Sequence, residues 1–281
     1  MTVKLIAIDL DATLLRNDKT YDKKAFHEAA EKLMDQGVIV CIATGNVEHR
    51  LVSYFDDHLI ERLYLAADNG NYLSQNSQMI HAFSVPQEDV DKVLEYTSDR
   101  EGIKTAISTG EMPYVLKSEL TPEVEELFHI YFDYMERLDS FDQIPEDLPV
   151  TKIAMHTDYG LEANKKIVSE LIELLDESTA VTSGGGWFDV YHQDGGKGSA
   201  VEYLQEKYAI SPAETLCFGD SLNDASMMKK ADLTVALSNA DPDLKEMCDY
   251  EIGSNEEQAV TCILQQLAEN NSIAVLDEHK K

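Results

Sequence analysis

The chain has 281 residues, of which 43% are hydrophobic, so it can bury one large core or two ordinary ones. Its formal net charge of −30 opposes binding to nucleic acid and to anionic membrane surfaces. No apolar run is long enough to span a membrane, and the N-terminal one meets an acid too soon for a signal peptide. These features predict a cytoplasmic protein.

The four cysteines lie far apart and form no C-x-x-C pair. In an intracellular chain, such residues are more often buried thiols than disulfides or zinc ligands. We therefore expect free thiols at Cys41, Cys217, Cys248 and Cys262.

The first part of the chain alternates between apolar strands and amphipathic helices. The spacing predicts strands at 3–8, 38–43 and 63–66, and helices at 21–36 and 47–55. Strand–helix–strand alternation is typical of a parallel sheet with helices on both faces.

The pattern becomes less regular between residues 87 and 191. Helices are predicted at 88–100, 122–132 and 161–177, and strands at 103–107, 113–116, 152–156, 180–183 and 187–191. The last two strands flank three glycines at 184–186, which predict a hairpin turn. This stretch is interpreted as an inserted α+β domain.

Regular alternation returns after Lys197. Helices are predicted at 199–208, 225–230 and 256–268, and strands at 215–218 and 233–236, while the polar tail from Glu269 is expected to fray. The predicted fold class is α/β. A doubly wound, Rossmann-like parallel sheet would comprise residues 1–84 and 192–281, with the inserted domain at 85–191.

The strongest chemical signal is a pair of acids, Asp9 and Asp11, that follows the first strand. Ligands bind at the carboxyl edge of open α/β sheets. Two acids at i and i+2 of an extended chain point the same way, and their repulsion would push their pKa values apart. One could then attack as a nucleophile while the other holds a proton as an acid. A helix cap or turn would explain one acid but not two.

Two weaker signals follow. Thr44 and Gly45 come after the second strand, where a helix N-terminus could hold a phosphate, although ordinary capping explains them as well. Lys197 lies between glycines in a sequence that fails the P-loop pattern, because Gly198 replaces the required Ser or Thr. A cation at a helix start is unfavourable, which favours a functional role for Lys197 over a solvated loop position.

A second acidic cluster follows the strand predicted at 215–218. Asp220 lies at the strand end, with Asn223 and Asp224 one turn later. Hard oxygen ligands with room for water suit Mg²⁺ better than zinc or calcium. A helix cap at Asp220 is the competing interpretation.

The four motifs, in this order, resemble those of the haloacid dehalogenase superfamily of phosphatases. The insertion between the second and third resembles the large α/β cap of its Cof-like subfamily (IIB). The resemblance covers residues 3 to about 268. Two positions depart from the family pattern: Ala12 stands where glycine is usual, with only a slight effect expected on the turn. Asn46 stands where the Cof-like group usually carries arginine, which puts the substrate preference in doubt.

The resemblance implies a role for each motif residue. Asp9 would be the nucleophile and Asp11 the general acid–base. Mg²⁺ would be held by the Asp9 and Asp220 carboxylates and the Asp11 carbonyl, with Asp224 supporting the metal site. The implied phosphate and substrate contacts are Thr44, Gly45, Lys197 and Asn223.

The function expected from these residues is Mg²⁺-dependent hydrolysis of a small phosphorylated metabolite, such as a sugar phosphate, through an aspartyl-phosphate. The cap would close over the site and select the substrate, around residues 184–187. No nucleic-acid or membrane partner is expected, and the protein would be a monomer or weak homo-oligomer.

Other interpretations remain open at this point. A phosphomutase on the same fold fits the motifs. A dehalogenase needs neither Asp11 nor Asp220, a receiver module would be shorter with its phosphorylated acid after a later strand, and a non-catalytic phosphometabolite sensor would not need every acid.

Overall fold

The computed structural model describes residues 2–98, 100–132, 134–184 and 186–281, and it contains two β-sheets. The strands are β1 Leu5–Asp9, β2 Ile39–Ala43, β3 Tyr64–Ala67, β4 Tyr72–Gln75, β5 Gln78–Ala82, β6 Lys104–Ser108, β7 Pro113–Leu116, β8 Glu136–Leu138, β9 Lys152–His156, β10 Ser178–Gly184, β11 Trp187–His192, β12 Thr215–Gly219, β13 Leu233–Leu237 and β14 Tyr250–Ile252. The helices are α1 Lys23–Asp35, α2 Glu48–Val52, α3 Asp57–Ile60, α4 Gln87–Ser98, α5 Pro122–Tyr131, α6 Leu161–Leu174, α7 Lys197–Tyr208, α8 Ala225–Met228, α9 Pro242–Met247 and α10 Ala259–Asn270.

The first sheet has the order β14-β13-β12-β1-β2-β3-β4-β5. From β14 to β3 all neighbours are parallel, and β4 and β5 add an antiparallel hairpin at the edge. Strand β1 lies between β12 and β2, so the carboxyl ends of these three strands are side by side. This edge is where the predicted site residues meet.

Strand β1 is buried on both faces, which explains its continuous apolar run. Ile6 and Ile8 point to the face covered by α1 and α10, while Leu5 and Ala7 point to the face covered by α7 and α8. Since every residue of the strand is buried, its position is firmly fixed, and so is the backbone of its last residue, Asp9.

The second sheet has the order β10-β11-β9-β6-β7-β8 and is antiparallel except for the β7–β8 pair. One face packs against α4 and α6 through residues such as Val93, Ile167 and Phe188. The other face carries Ala154 and Trp187, which pack with Phe128 of α5. Val47, which follows strand β2 of the first sheet and precedes α2, packs in the same cluster. This face of the second sheet therefore lies over the carboxyl edge of the first sheet.

The predicted fold class is confirmed, and the less regular stretch forms a sheet of its own. The predicted domain boundaries at 84/85 and 191/192 stay a prediction, and strand β11 runs one residue past the second of them, to His192. Residues 178–192 pair as the expected hairpin, although Gly185 of its turn lies outside the described residues. All four cysteines are free thiols, and only Cys262 is exposed.

Several parts of the chain differ from expectation, since strands β8 and β14 and helices α3 and α9 were not predicted. The hairpin β4–β5 was not predicted, although Asn76 and Ser77 between its strands are both left-handed, as a two-residue hairpin turn requires. The tail from Glu269 does not fray. Leu276 is completely buried in the hydrophobic cluster formed with α1 and α10, and Lys280 forms an antiparallel β-bridge with Tyr250. No helix among the described ranges is long and apolar enough to cross a membrane.

Candidate active site

The predicted site residues converge on one cavity of about 780 Å³ between the two sheets. Asp9 ends β1, Thr44 follows β2 and Asp220 follows β12, so the parallel arrangement of these strands places all three at one edge. The second sheet closes the opposite side of the cavity. The polar lining residues are Asp9, Asp11, Thr44, Asn46, Asn69, Lys152, Thr182, Asp189, Tyr191, Lys197, Asp220, Ser221, Asn223 and Ser226.

Lys197 joins two of the acids. Its Nζ lies 2.6 Å from Asp9 Oδ1 and 2.6 Å from Asp224 Oδ1, and its side chain is fully buried. Burial lowers the pKa of Lys197, but the Asp224 and Asp9 carboxylates outweigh it and leave the pKa above its usual value. These two carboxylates offset the unfavourable placement of a cation at the first position of α7.

Three carboxylates are crowded around this ammonium. Burial, followed by Asp224, raises the pKa of Asp9 well above its usual range. The same causes raise the pKa of Asp220 to about 6. The sequence predicted that Asp11 would be the group repelling Asp9, but the carboxylates that raise the pKa of Asp9 are Asp224 and Asp220. The single Lys197 cation leaves the cluster short of positive charge.

The chain leaves the strand after Asp9, and Asp11 has different partners from Asp9. Residues Leu10–Leu14 form a tight π-type turn in which Ala12 is left-handed, with φ +57. The Oδ2 of Asp11 accepts a 2.7 Å hydrogen bond from Asn46 Nδ2, and its Oδ1 lies 2.7 Å from Lys19 Nζ. Asp11 is thus held at the mouth of the cavity by Asn46 and Lys19.

The loop after β2 is a turn, not the start of a helix. Helix α2 begins at Glu48 with Val47 as its N-cap, so the expectation that Thr44 and Gly45 open a helix is wrong. Instead, the Thr44 hydroxyl accepts hydrogen bonds from the Asn46 main-chain N–H at 3.2 Å and from Asn46 Nδ2 at 3.0 Å. A Cβ at position 45 would lie 3.1 Å from Asn69 Oδ1, so glycine lets the loop lie close to that side chain.

Asp220 and Asp224 play different parts. Asp224 is completely buried and its Oδ2 accepts from the N–H groups of Asp220 at 3.0 Å and Ser221 at 3.1 Å. Its other oxygen binds Lys197, so both oxygens already have protein partners. Asp220 lines the cavity and accepts from Thr13 Oγ1 at 3.1 Å.

The acid cluster can hold a metal ion. One oxygen each of Asp9, Asp220 and Asp224 lies within 4.8 Å of the others. Carboxylate oxygens are the ligands that hard divalent cations take, and the raised pKa values of Asp9 and Asp220 mark a shortage of positive charge that such a cation would relieve. Asp9 and Asp220 suit direct ligation, whereas Asp224 fits a supporting position behind them.

Several residues at the site were not predicted with a role. Asn223 Nδ2 donates to Asn69 Oδ1 at 3.2 Å, and Asn71 Oδ1 accepts from the Gly196 N–H at 2.9 Å, beside Lys197. The signal for these residues is the Asn69-Gly70-Asn71 run, which comes soon after the third predicted strand. Gly70 between them must be glycine, because its φ is +87 and a Cβ would lie 2.6 Å from the Gly196 carbonyl oxygen.

Comparison with known proteins agrees with this geometry. The profile of the haloacid dehalogenase-like hydrolases matches residues 6–264. YbjI of Escherichia coli, a 5-amino-6-(5-phospho-D-ribitylamino)uracil phosphatase, is 24% identical over 277 residues, covering 97% of this chain and 98% of that protein. A crystal structure from Streptococcus mutans superposes with a TM-score of 0.84 at 23% identity and covers 96% of this chain and 100% of its own.

The subclass IIB sugar phosphatase BT4131 superposes with a TM-score of 0.75 at 21% identity, covering 94% of this chain and 99% of its own. At these identities the solved structures establish a shared fold. The profile match spans both the first sheet and the inserted sheet, which is the arrangement of a catalytic core and its cap. The chain therefore belongs to the haloacid dehalogenase-like hydrolase family, as a Cof-like phosphatase with an α/β cap.

Proposed function

We propose that the protein is a Mg²⁺-dependent phosphatase that hydrolyses a small phosphorylated metabolite through a phosphorylated Asp9. The observation that carries the proposal is the placement of the Asp9 carboxylate at the edge of the cavity, 2.6 Å from Lys197 Nζ and within the carboxylate cluster. A nucleophile for phosphoryl transfer needs that combination of a fixed position and nearby positive charge.

The reaction would proceed in two displacements at phosphorus. In the first, a carboxylate oxygen of Asp9 forms a bond to phosphorus, the bond to the leaving oxygen breaks, and Asp11 gives that oxygen its proton. In the second, Asp11 takes a proton from a water molecule whose oxygen attacks phosphorus, and the Asp9 carboxylate is released with inorganic phosphate. The hydrogen bonds from Asn46 and Lys19 would hold Asp11 for both proton transfers.

Asp9 and Asp220 would hold Mg²⁺, together with the main-chain carbonyl of Asp11. When bound, the ion would supply positive charge to the phosphoryl oxygens. The protein would add the Lys197 ammonium, the Thr44 hydroxyl and the Asn223 amide as phosphate partners. Asp224 would fix Lys197 and the backbone of Asp220 behind them.

The substrate would be a sugar or polyol phosphate. A cavity of about 780 Å³ is large enough for such a molecule, and the cap covers it with Trp187, Asp189 and Tyr191 from strand β11. The Asp189 carboxylate suits hydroxyl or amino donors, and an indole suits the apolar face of a ring. Phosphatases named for sugar or ribityl phosphates are among its relatives, which supports this class. The cytoplasmic location and the monomeric or weakly oligomeric state stay predictions.

The experiment is a phosphate-release assay with p-nitrophenyl phosphate and a panel of sugar and polyol phosphates, run with Mg²⁺ and with EDTA. We expect release that requires Mg²⁺ and is absent in Asp9→Asn. Release that needs a catalytic amount of a bisphosphate, with an isomerised product, would replace the phosphatase by a phosphomutase. Binding of a phosphorylated metabolite with no turnover by folded protein would replace it by a sensor.

A further inference from the structure

A buried ion pair connects the cap to the loop of residues 44–46, which is called the phosphate-binding loop because the proposed function assigns Thr44 to the phosphate. Lys152 begins β9 of the cap, and Asp68 follows β3 of the core. The Nζ of Lys152 lies 3.1 Å from Asp68 Oδ1 and donates to the main-chain carbonyl of Gly45 at 2.9 Å. Gly45 is the residue between Thr44 and Asn46, the two side chains of the loop that face the site.

The cap contributes two further donors to the same carboxylate. Asp68 Oδ2 accepts from Ser108 Oγ at 2.5 Å and from Thr151 Oγ1 at 2.7 Å. Asp68 is 0% exposed and Lys152 is 5% exposed, so the ion pair is buried at the core–cap boundary. One core carboxylate thus contacts Ser108, Thr151 and Lys152 of the cap.

The core side of the network is attached to the phosphate-binding loop through the backbone as well. The N–H of Asp68 donates to the Asn46 carbonyl at 2.9 Å, and the N–H of Asn69 donates to the Thr44 carbonyl at 2.7 Å. Asp68 and Asn69 are both left-handed, with φ +48 and +58. Non-glycine residues stay in that conformation only where their surroundings hold them, so this turn is a fixed support for the loop.

The charge state of Lys152 fits this arrangement. Burial lowers its pKa, but the Asp68 and Asp189 carboxylates outweigh burial and leave the pKa above its usual value. The ammonium is therefore retained inside the closed cap. An ammonium has three donors, and a methionine of similar length has none, which makes the role of the charge testable.

We infer that Lys152 is a positioning residue: in the closed cap, held by Asp68, it fixes the Gly45 carbonyl and so sets the Thr44 hydroxyl at the phosphate and the Asn46 amide at Asp11. Closure of the cap and assembly of the phosphate site are then one event. The inference rests on the proposed function, since it assigns the loop of residues 44–46 to the phosphate.

The test compares Lys152→Met with Lys117→Met, which removes an exposed cap lysine paired to Asp139 at 3.1 Å. Initial rates are measured with p-nitrophenyl phosphate, glucose 6-phosphate and glycerol 3-phosphate, well below the melting temperature of each variant. Affinity for inorganic phosphate is measured by calorimetry. We expect Lys152→Met to lower kcat/KM by about 10- to 100-fold, by the same factor for all three substrates, and to weaken phosphate binding. Lys117→Met should match the wild type.

A second variant guards against misfolding. Asp68→Asn/Lys152→Met removes both members of the ion pair, so Asp68 is not left as a buried carboxylate without its lysine, and the variant should be more stable than Lys152→Met alone and show the same uniform loss. Wild-type rates in either folded variant, unchanged phosphate affinity, or a loss that differs among the leaving groups would overturn the inference, the last because it marks direct contact with the leaving group. If the wild type releases no phosphate, the proposed function fails, while the calorimetric comparison still decides the inference. If the wild type does not bind phosphate, the inference falls too.

Discussion

The ammonium of Lys197 lies 2.6 Å from the Asp9 carboxylate, although 188 positions separate the two residues in the chain. Asp9 ends the central strand of the sheet, and Lys197 begins the helix that follows the cap. In the sequence, the inserted cap therefore separates Asp9 from Lys197, which belong to one charge cluster in the fold. The core tolerates this insertion because Asp9 belongs to the core sheet and Lys197 belongs to the helix that covers the same sheet.

Replacing Lys197 with methionine should destabilise the fold. The substitution leaves the carboxylates of Asp9 and Asp224 buried with no ammonium between them, and breaking a buried pair in this way typically removes about 3–5 kcal/mol. The free energy of unfolding, measured by urea titration, should fall by that amount. Lys230→Met, which removes a partly exposed pair with Glu202, should cost less than about 1 kcal/mol. Equal losses in the two variants would contradict this account.

Replacing Asp9 with asparagine should abolish turnover and at the same time stabilise the metal-free protein. Burial and Asp224 raise the pKa of Asp9, so the charged form of its side chain is unfavourable in the folded protein. A neutral side chain of the same shape removes this unfavourable contribution to stability. We expect kcat to fall by more than about 10³-fold while the melting temperature in EDTA rises. Asp224→Asn should instead lower the melting temperature, because that carboxylate binds Lys197 and two main-chain N–H groups.

Replacing Ala12 with glycine should raise stability. Alanine at φ +57 is left-handed, a conformation that costs an L-residue about 1 kcal/mol and glycine far less. The sequence predicted only a slight effect of Ala12 on the turn, and this variant tests that prediction. Ala209→Gly, at φ +52 far from the site, should give a similar gain of about 1 kcal/mol in urea unfolding. Ala163→Gly, inside α6, should lose about 1 kcal/mol, so a gain there would show that the effect is not conformational.

Replacing Asn46 with alanine should slow the chemical step. The Asn46 amide donates to both the Asp11 carboxylate and the Thr44 hydroxyl, and a hydrogen bond to a charged group is worth about 1.5–3 kcal/mol. We expect kcat to fall by about 10- to 100-fold in the phosphate-release assay. Asn46→Asp keeps the shape but replaces the donor by a second negative charge beside Asp11, so it should be at least as slow. An alanine variant with wild-type kcat would show that Asp11 needs no such partner.

The strands and the main acids could be predicted because both signals are local. An apolar run such as residues 5–8 marks a buried strand, and the acid that follows marks the edge of the sheet. Three such strand ends, those of β1, β2 and β12, meet in a parallel sheet whatever the remaining details. The strand pattern was therefore enough to gather Asp9, Thr44 and Asp220 at one place, whereas Lys197, the first residue of α7, was placed there by the family resemblance.

The orientation of the side chains and the support from the cap could not be predicted, because they depend on contacts between distant residues. Asp11 is held by Asn46, 35 positions away, and by Lys19, 8 positions away, and strand periodicity indicates neither partner. Lys152 contacts Gly45 across 107 positions, and nothing near either residue indicates the other. Such contacts follow from how the cap lies on the core, which is fixed only when both have folded.

His27, a buried residue of helix α1, should make the stability of the fold depend on pH. Burial lowers the pKa of His27 from its ordinary value of 6.5, and the Asp56 carboxylate, 3.3 Å from its Nδ1, only partly offsets this. Between the lowered pKa and 6.5 the unfolded chain binds more protons than the folded one, so stability is lost as the pH falls through this window and levels off below it.

The groups that face His27 are the hydroxyl of Tyr21, Asp56, Lys23, His58 and Glu31. The raised pKa values of Asp9 and Asp220 stabilise the fold as the pH drops, so the effect of His27 is measured as a difference. Between pH 7.5 and 5 the melting temperature of His27→Gln should fall less, or rise more, than that of the wild type, because its side chain takes up no proton. His279→Gln, which removes a histidine elsewhere in the chain, should leave the slope unchanged. A His27→Gln variant with the full wild-type slope would place the titrating group elsewhere. Its own stability at pH 7.5 need not match the wild type, because the prediction concerns the difference between pH values within each variant.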